Sequence, residues 1–203
     1  MAALEKKRIE LTPLLLADMH SNAMKIEIPK SDILGLNNRL VKLQKILTGK
    51  YVISTGDLLD CYPLIYHYFN LTTLPKSTLR ACATYLAFLV PSWNPSVRLV
   101  QWADLIIKDN QLITSSGVHS LSLYELAEAN RERGKLVIQL GFRKIGSSLG
   151  EQQSLLAAHC KFSQELVQVA IRYKGRVKRG DLNSTDLFAV SILLMLRQIC
   201  PLA

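Results

Sequence analysis

Aromatic side chains are scarce in this chain of 203 residues, at 7% of positions, so a core must be assembled mainly from Leu, Ile, Val and Ala. Charged residues are also few, at 20% against 49% hydrophobic, a balance that excludes intrinsic disorder. The ten Gly and seven Pro are spread along the chain and leave no room for a collagen-like or low-complexity reading. Long hydrophobic runs are missing as well. The longest stretches without Lys, Arg, Asp or Glu, 61–75 and 81–97, are interrupted by Pro63, His67 and Asn70 or by Pro91, Asn94 and Pro95. Leu187–Leu196 is uninterrupted but short of the roughly 20 residues that a bilayer crossing needs. The opening ten residues mix Lys6, Lys7 and Arg8 with Glu5 and Glu10, which fits neither a signal peptide nor a good mitochondrial presequence.

Catalytic fingerprints are absent too. The sequence has no phosphate-binding G-x-x-x-x-G-K, no G-x-G-x-x-G, no G-x-S-x-G elbow, no H-E-x-x-H and no calcium loop. His20, His67, His119 and His159 stand apart from one another and from clustered carboxylates. Cys61, Cys82, Cys160 and Cys200 are widely separated within apolar stretches, as buried free thiols in a reducing compartment would be, and not as a zinc ribbon or disulfide framework. No catalytic residue, metal ligand or cofactor is therefore expected. An enzyme would need a fold that gathers His67, Cys82 or Asp57, and Asp57 is better explained as a helix cap.

What is present is helical periodicity, and the expected fold is an all-α bundle forming a single domain over 1–203. Apolar positions from Ile33 to Leu47 recur at three and four behind a Ser31/Asp32 cap and before Gly49. A second helix is predicted from Thr55–Asp57 toward Phe69, with Pro63 in its first turns or breaking it, and a third from Pro75. Asn94 and Pro95 open another, and Asp109–Val118 reads as a connection. Ser122 and Glu125 form a capping box, flanked by Leu121 and Leu126 as a hydrophobic staple, and Gly134 supplies the stop. Leu136–Phe142 is a short strand or helix, and Gly146–Gly150 a turn. Gln152–Tyr173 is helical, and the last helix, from Ser184 or Thr185, is apolar all round and should lie at the centre.

Positive charge is concentrated. Of the formal +9, residues 1–130 contribute +2, residues 131–180 contribute +8 and residues 181–203 contribute −1. Arg172, Lys174, Arg176, Lys178 and Arg179 surround two glycines, where a backbone can approach a phosphate closely. Arg131, Arg133, Lys135, Arg143 and Lys144 form a second group. On one face, the two groups would give a footprint suited to RNA. Phe142 and Tyr173 are the only aromatics interleaved with them, so base stacking should be a minor contribution. The alternatives are an anionic lipid surface, an acidic protein face, or a solvated basic face without a ligand.

Asn94-x-x-x-Arg98, Leu112-Ile113, Gly117-Val118, Ser120-Leu121-Ser122-Leu123-x-Glu125-Leu126-x-x-Ala129 and Arg131-x-Arg133-Gly134 resemble the matrix-side domain of the leucine zipper and EF-hand containing transmembrane (LETM) proteins of mitochondria. The likeness is strongest over 94–135 and extends back to about residue 31. Asn130 stands where the family has cysteine, and Lys135 where it commonly has methionine. The family's transmembrane helix, coiled coil and calcium loop have no counterpart, as in a domain excised from a longer precursor or a divergent soluble relative. The resemblance implies a helical bundle similar to the 14-3-3 fold. It also implies contact with the mitochondrial ribosome, through rRNA or ribosomal proteins, at the matrix side of the inner membrane, and a family link to membrane protein biogenesis and to cation/proton homeostasis. The ten basic residues of the two groups are the expected ribosome or RNA contacts. The competing expectation is a structural helical subunit that binds a protein partner without touching nucleic acid.

Overall fold

Three capping boxes fix where helices begin. Ser54 with Asp57, Ser122 with Glu125 and Asn183 with Asp186 each exchange side-chain bonds with the other residue's backbone N–H, satisfying donors that a helix start leaves open. In the computed structural model, which describes residues 2–28, 35–49, 52–69, 73–86, 94–133, 149–173 and 182–200, these boxes start α3 (Thr55–Asp60), α7 (Leu123–Glu132) and α9 (Ser184–Ile199). The remaining helices are α1 (Ala2–Ala23), α2 (Leu36–Leu47), α4 (Tyr62–Tyr68), α5 (Lys76–Tyr85), α6 (Pro95–Ser116) and α8 (Leu149–Tyr173), with a 3-10 turn at Val118–Ser120. No strand occurs among the described residues, and the expected all-α bundle is what the chain forms.

Several predicted boundaries shift for identifiable reasons. Ser31 and Asp32 lie outside the described residues, and α2 starts at Leu36 because Gly35, at φ 61°, is left-handed and ends any helical path through it. At the other end Gly49 (φ 69°) turns the chain in a left-handed conformation that favours glycine, and a Cβ there would stand 3.0 Å from Leu16 Cδ1. Pro63 breaks the second predicted helix at Cys61, and α3 and α4 result. The supposed connection at 109–118 is instead the last two turns of α6. Its Thr114, Ser115 and Ser116 hydroxyls donate back to the carbonyls of Asn110 and Leu112, and buried Ile113 holds the segment to the core. Gly117, at φ 86°, then ends it. Leu149 and Gly150, predicted as the end of a turn, open α8. Leu136–Phe142 and Gly134 fall outside the described residues.

α1 has no clear sequence pattern. Its buried face carries Arg8, Leu15, Leu16, Met19 and Ala23, while Ile9 and Leu14 are exposed, so a charge sits inside and apolar residues sit outside. Arg8 is nonetheless well placed. Its Nε donates to the Tyr85 carbonyl at 2.7 Å, one nitrogen donates to the Arg131 carbonyl at 3.2 Å, and the guanidinium stands 5.7 Å from the centroid of the Tyr85 ring. α1 is thereby tied to the C-terminal ends of α5 and α7.

The main core runs from Leu15 of α1 to Cys200 after α9. α9 is its axis: every residue from Phe188 to Arg197 is buried, and the helix packs against α6, α4, α3 and α8. A smaller cluster of Ile113, Leu126, Ala129, Leu156 and Cys160 joins α6, α7 and α8. All four cysteines are buried and free, and burial pushes the thiols of Cys61, Cys82 and Cys200 up to about 12, so they act as small apolar groups. Substituting Leu193→Ala at the middle of α9 should cost about 3 kcal/mol. Urea unfolding followed by circular dichroism should show this as an earlier midpoint.

Candidate nucleic-acid interface

Of the ten basic residues predicted to contact a ribosome, Arg131, Arg133 and Arg172 are among the described residues. Lys135, Arg143, Lys144, Lys174, Arg176, Lys178 and Arg179 lie outside them. The three have different environments. Arg133 is fully buried: Nε donates to Asn110 Oδ1 at 2.9 Å, one terminal nitrogen to the Ala129 carbonyl at 2.7 Å, and the other forms an ion pair with Asp109. It is a clamp between α6 and the end of α7, not a surface cation. Sequence alone could not reveal this, because its partners Asp109 and Asn110 are more than twenty residues away in the region read as a loop.

Arg131 is half-exposed, and both its Nε and a terminal nitrogen bond to Glu128 one turn earlier. That hydrogen bonding holds the Glu128 carboxyl below its usual range and raises the Arg131 guanidinium. A surface pair of this kind is worth at most about 1 kcal/mol, so a phosphate can compete for Arg131 at small cost. Arg172 is exposed in the last turn of α8, where a cation also complements the helix dipole.

The two basic groups are rooted at opposite ends of α8. Asn130 Nδ2 bonds the Gln152 carbonyl at 3.4 Å, which sets the end of α7 beside the start of α8, whereas Arg172 is twenty residues further on, about 30 Å along the axis. Between them, Lys161, Gln164, Gln168 and Arg172 are exposed at helical spacing and line one face. The one acidic residue of α8 from Ser154 to Arg172, Glu165, is half-buried beside Gln164. In sequence, Lys135, Arg143 and Lys144 precede this helix and Lys174, Arg176, Lys178 and Arg179 follow it.

Long-range packing also brings aromatics to the end of α8 that carries Arg172. The Tyr173 ring, at the end of α8, has its centroid 5.7 Å from Tyr62, 5.9 Å from Tyr66 and 6.1 Å from His67, each at a steep angle. His67 Nε2 lies 2.7 Å from the Tyr173 hydroxyl, and His67 is exposed while Tyr66, Tyr68 and Tyr173 are half-buried. Tyr66 and His67 precede Tyr173 by more than a hundred residues, so the sequence shows Tyr173 as a lone ring.

The residues named for an unrecognised enzyme are not assembled. Cys82 is buried on α5, Asp57 caps α3 and pairs with Lys42 at 3.1 Å, and His67 faces Tyr173. Among the described residues, no group of three or more His, Cys, Asp or Glu is arranged to hold a metal ion, and no helix is long and apolar enough to cross a membrane.

The chain is a helical bundle whose most cationic stretch in sequence brackets one long helix. The LETM1-like ribosome-binding domain (RBD) family matches residues 3–151, nearly three quarters of the chain, and the protein belongs to that family. The match begins well before residue 31, where the motifs alone place its start, and so takes in α1. No curated protein matches the chain. No solved structure matches it either, so the likeness to the 14-3-3 fold rests on the resemblance alone.

The different environments of the arginines separate folding from binding. Arg133→Leu should destabilise the domain by about 3 kcal/mol by stranding Asn110 and Asp109, whereas Arg172→Ala should change stability by less than about 0.5 kcal/mol. Thermal unfolding of the two variants measures the difference.

Proposed function

We propose that the protein is a non-enzymatic mitochondrial ribosome-binding adaptor, one unit over residues 1–203, that docks through α8 and the basic segments at its two ends. Its role is tethering: it holds rRNA, or a ribosomal protein surface on rRNA, at the matrix side of the inner membrane, where it assists membrane protein biogenesis. The contacts are Arg172, Lys174, Arg176, Lys178 and Arg179 at one end, and Arg131, Lys135, Arg143 and Lys144 at the other. Arg133 supports the second group from below. Tethering at the inner membrane would also be the chain's part in the family's link to cation/proton homeostasis.

The observation that carries this reading is the placement of charge. Residues 131–180 hold a net +8, and the helix within that span exposes Lys161 and Arg172 while the one acidic side chain between them, Glu165, is half-buried. Clustered cations that outnumber the anions around them match a phosphate backbone. A solvated face kept only for solubility would be expected to intersperse both signs.

One observation favours a protein partner instead. Val97, Leu105 and Leu112 are exposed along α6, with Gln101 and Lys108 between them, and give a partner helix apolar points of contact. The two readings differ in their response to charge. If phosphates are neutralised at about six contacts, co-sedimentation with mitochondrial ribosomes should fall by ~10³-fold between low and moderate salt. Changing Lys174, Arg176, Lys178 and Arg179 together to Glu should abolish it. Co-sedimentation that ignores both salt and charge reversal would instead support docking through α6.

A further inference from the structure

Four of the seven tyrosines, Tyr62, Tyr66, Tyr68 and Tyr173, gather with His67 at one end of the bundle, so a chain poor in aromatics concentrates them in one place. The cluster is not simply core. Tyr62 is fully buried and donates its hydroxyl to Asp186 at 3.2 Å, anchoring the group to the start of α9, but the rings become progressively wetter toward His67. Tyr173 is the hub, held by three neighbouring rings and by the His67 hydrogen bond, so its orientation is set before any ligand arrives. Pre-orientation lowers the ordering cost of a stacked contact.

The neighbouring chemistry is cationic. Arg172 is exposed beside Tyr173 in sequence, and the face of α8 leading to it carries Gln168, Gln164 and Lys161. Amide and guanidinium groups donate to phosphate and base edges alike, and aromatic rings beside such a track accept unstacked bases.

We propose that Tyr173, with His67 and Tyr66, is a stacking platform for unpaired bases, so that the partner at this end of α8 is single-stranded RNA. This inference rests on the polyanion-binding reading above and narrows it. A duplex hides its base faces and can satisfy only Lys161 and Arg172, whereas a single strand can satisfy both the cations and the rings. The low sequence selectivity of stacking suits a contact made for tethering.

The test uses the full-length chain with a fluorescein-labelled twelve-nucleotide oligouridylate, a duplex RNA of equal length and cardiolipin-containing vesicles. The wild type should prefer the single strand, and ultraviolet crosslinking should place uridine adducts on Tyr173 or on the peptide holding Tyr66 and His67. Tyr173→Leu, which keeps apolar volume but loses the ring, should weaken single-strand binding about tenfold with the salt slope unchanged. Tyr173→Phe should stay within about twofold of wild type. Arg172→Ala should lower the salt slope by about one, since it removes a phosphate contact and no ring. Should Tyr173→Leu fail to fold, His67→Ala at the exposed edge gives the same reading with a loss of about threefold. Equal binding of single strand and duplex, preference for vesicles, or wild-type affinity in the ring variants overturns the platform. Ribosome co-sedimentation run in parallel separates the two failures: if it stays salt-sensitive while the ring variants bind like wild type, only the platform falls. Loss of oligonucleotide and ribosome binding alike removes both.

Discussion

Buried guanidinium groups against the carbonyl ends of helices hold this bundle in register. Arg8 reaches from α1 to the carbonyls of Tyr85 and Arg131, and Arg133 reaches from the end of α7 to Ala129 and to Asp109 and Asn110 on α6. The last carbonyls of a helix lack intrahelical partners and carry partial negative charge, so a cation placed there is both hydrogen-bonded and electrostatically favoured. Arg8 and Arg133 are each fully buried, yet neither is an isolated charge. Apolar packing alone lets helices slide, because Leu and Ile are tolerant of small shifts. A forked donor with several fixed acceptors allows one arrangement.

That arrangement determines what the outer charges can do. By fixing α7 on α6, Arg133 sets the end of α7, and with it Asn130, against the start of α8. α8 then lies with Leu156, Cys160, Phe162, Leu166 and Ala170 inward, so Lys161, Gln164, Gln168 and Arg172 are turned outward. The chain thus uses arginine in two ways. Those on the inside specify geometry, and Arg172 on the outside carries charge along the helix that the geometry exposes. Arg197 is a third buried guanidinium, 5.1 Å from the Phe162 ring, and desolvation lowers its proton affinity. Net charge of a segment therefore overstates its binding surface, since part of it is consumed within the fold.

This division also explains which features could be read from the sequence. Capping is local: Ser122 and Glu125 are three residues apart, and the box forms as expected. The Asn94 cap with Pro95, the Pro75 start and the all-apolar α9 are similarly contained in short windows. α1 was not legible because its buried Arg8 is matched by groups 77 and 123 residues away. The end of α6 reads as a loop because Ser, Thr and Asn disfavour helix interiors in isolation. There they are satisfied by back-bonding to their own helix and, for Asn110, by Arg133 and Cys160. The charge asymmetry of the candidate site was visible, but the removal of Arg133 from it and the gathering of rings at Tyr173 are tertiary facts.

The family match ends at residue 151, just inside α8, yet the fold has no boundary there. α9 is the axis on which α3, α4, α6 and α8 pack, so the matched helices share their main core with a helix outside the match. A helix buried on every side is specified mainly by volume and apolar character, which many sequences satisfy. Capping boxes and buried arginine clamps need particular residues at particular places, and α1 to α7 hold two of the three boxes and both clamps. The most recognisable part of the chain is therefore the part with the strictest hydrogen-bonding demands.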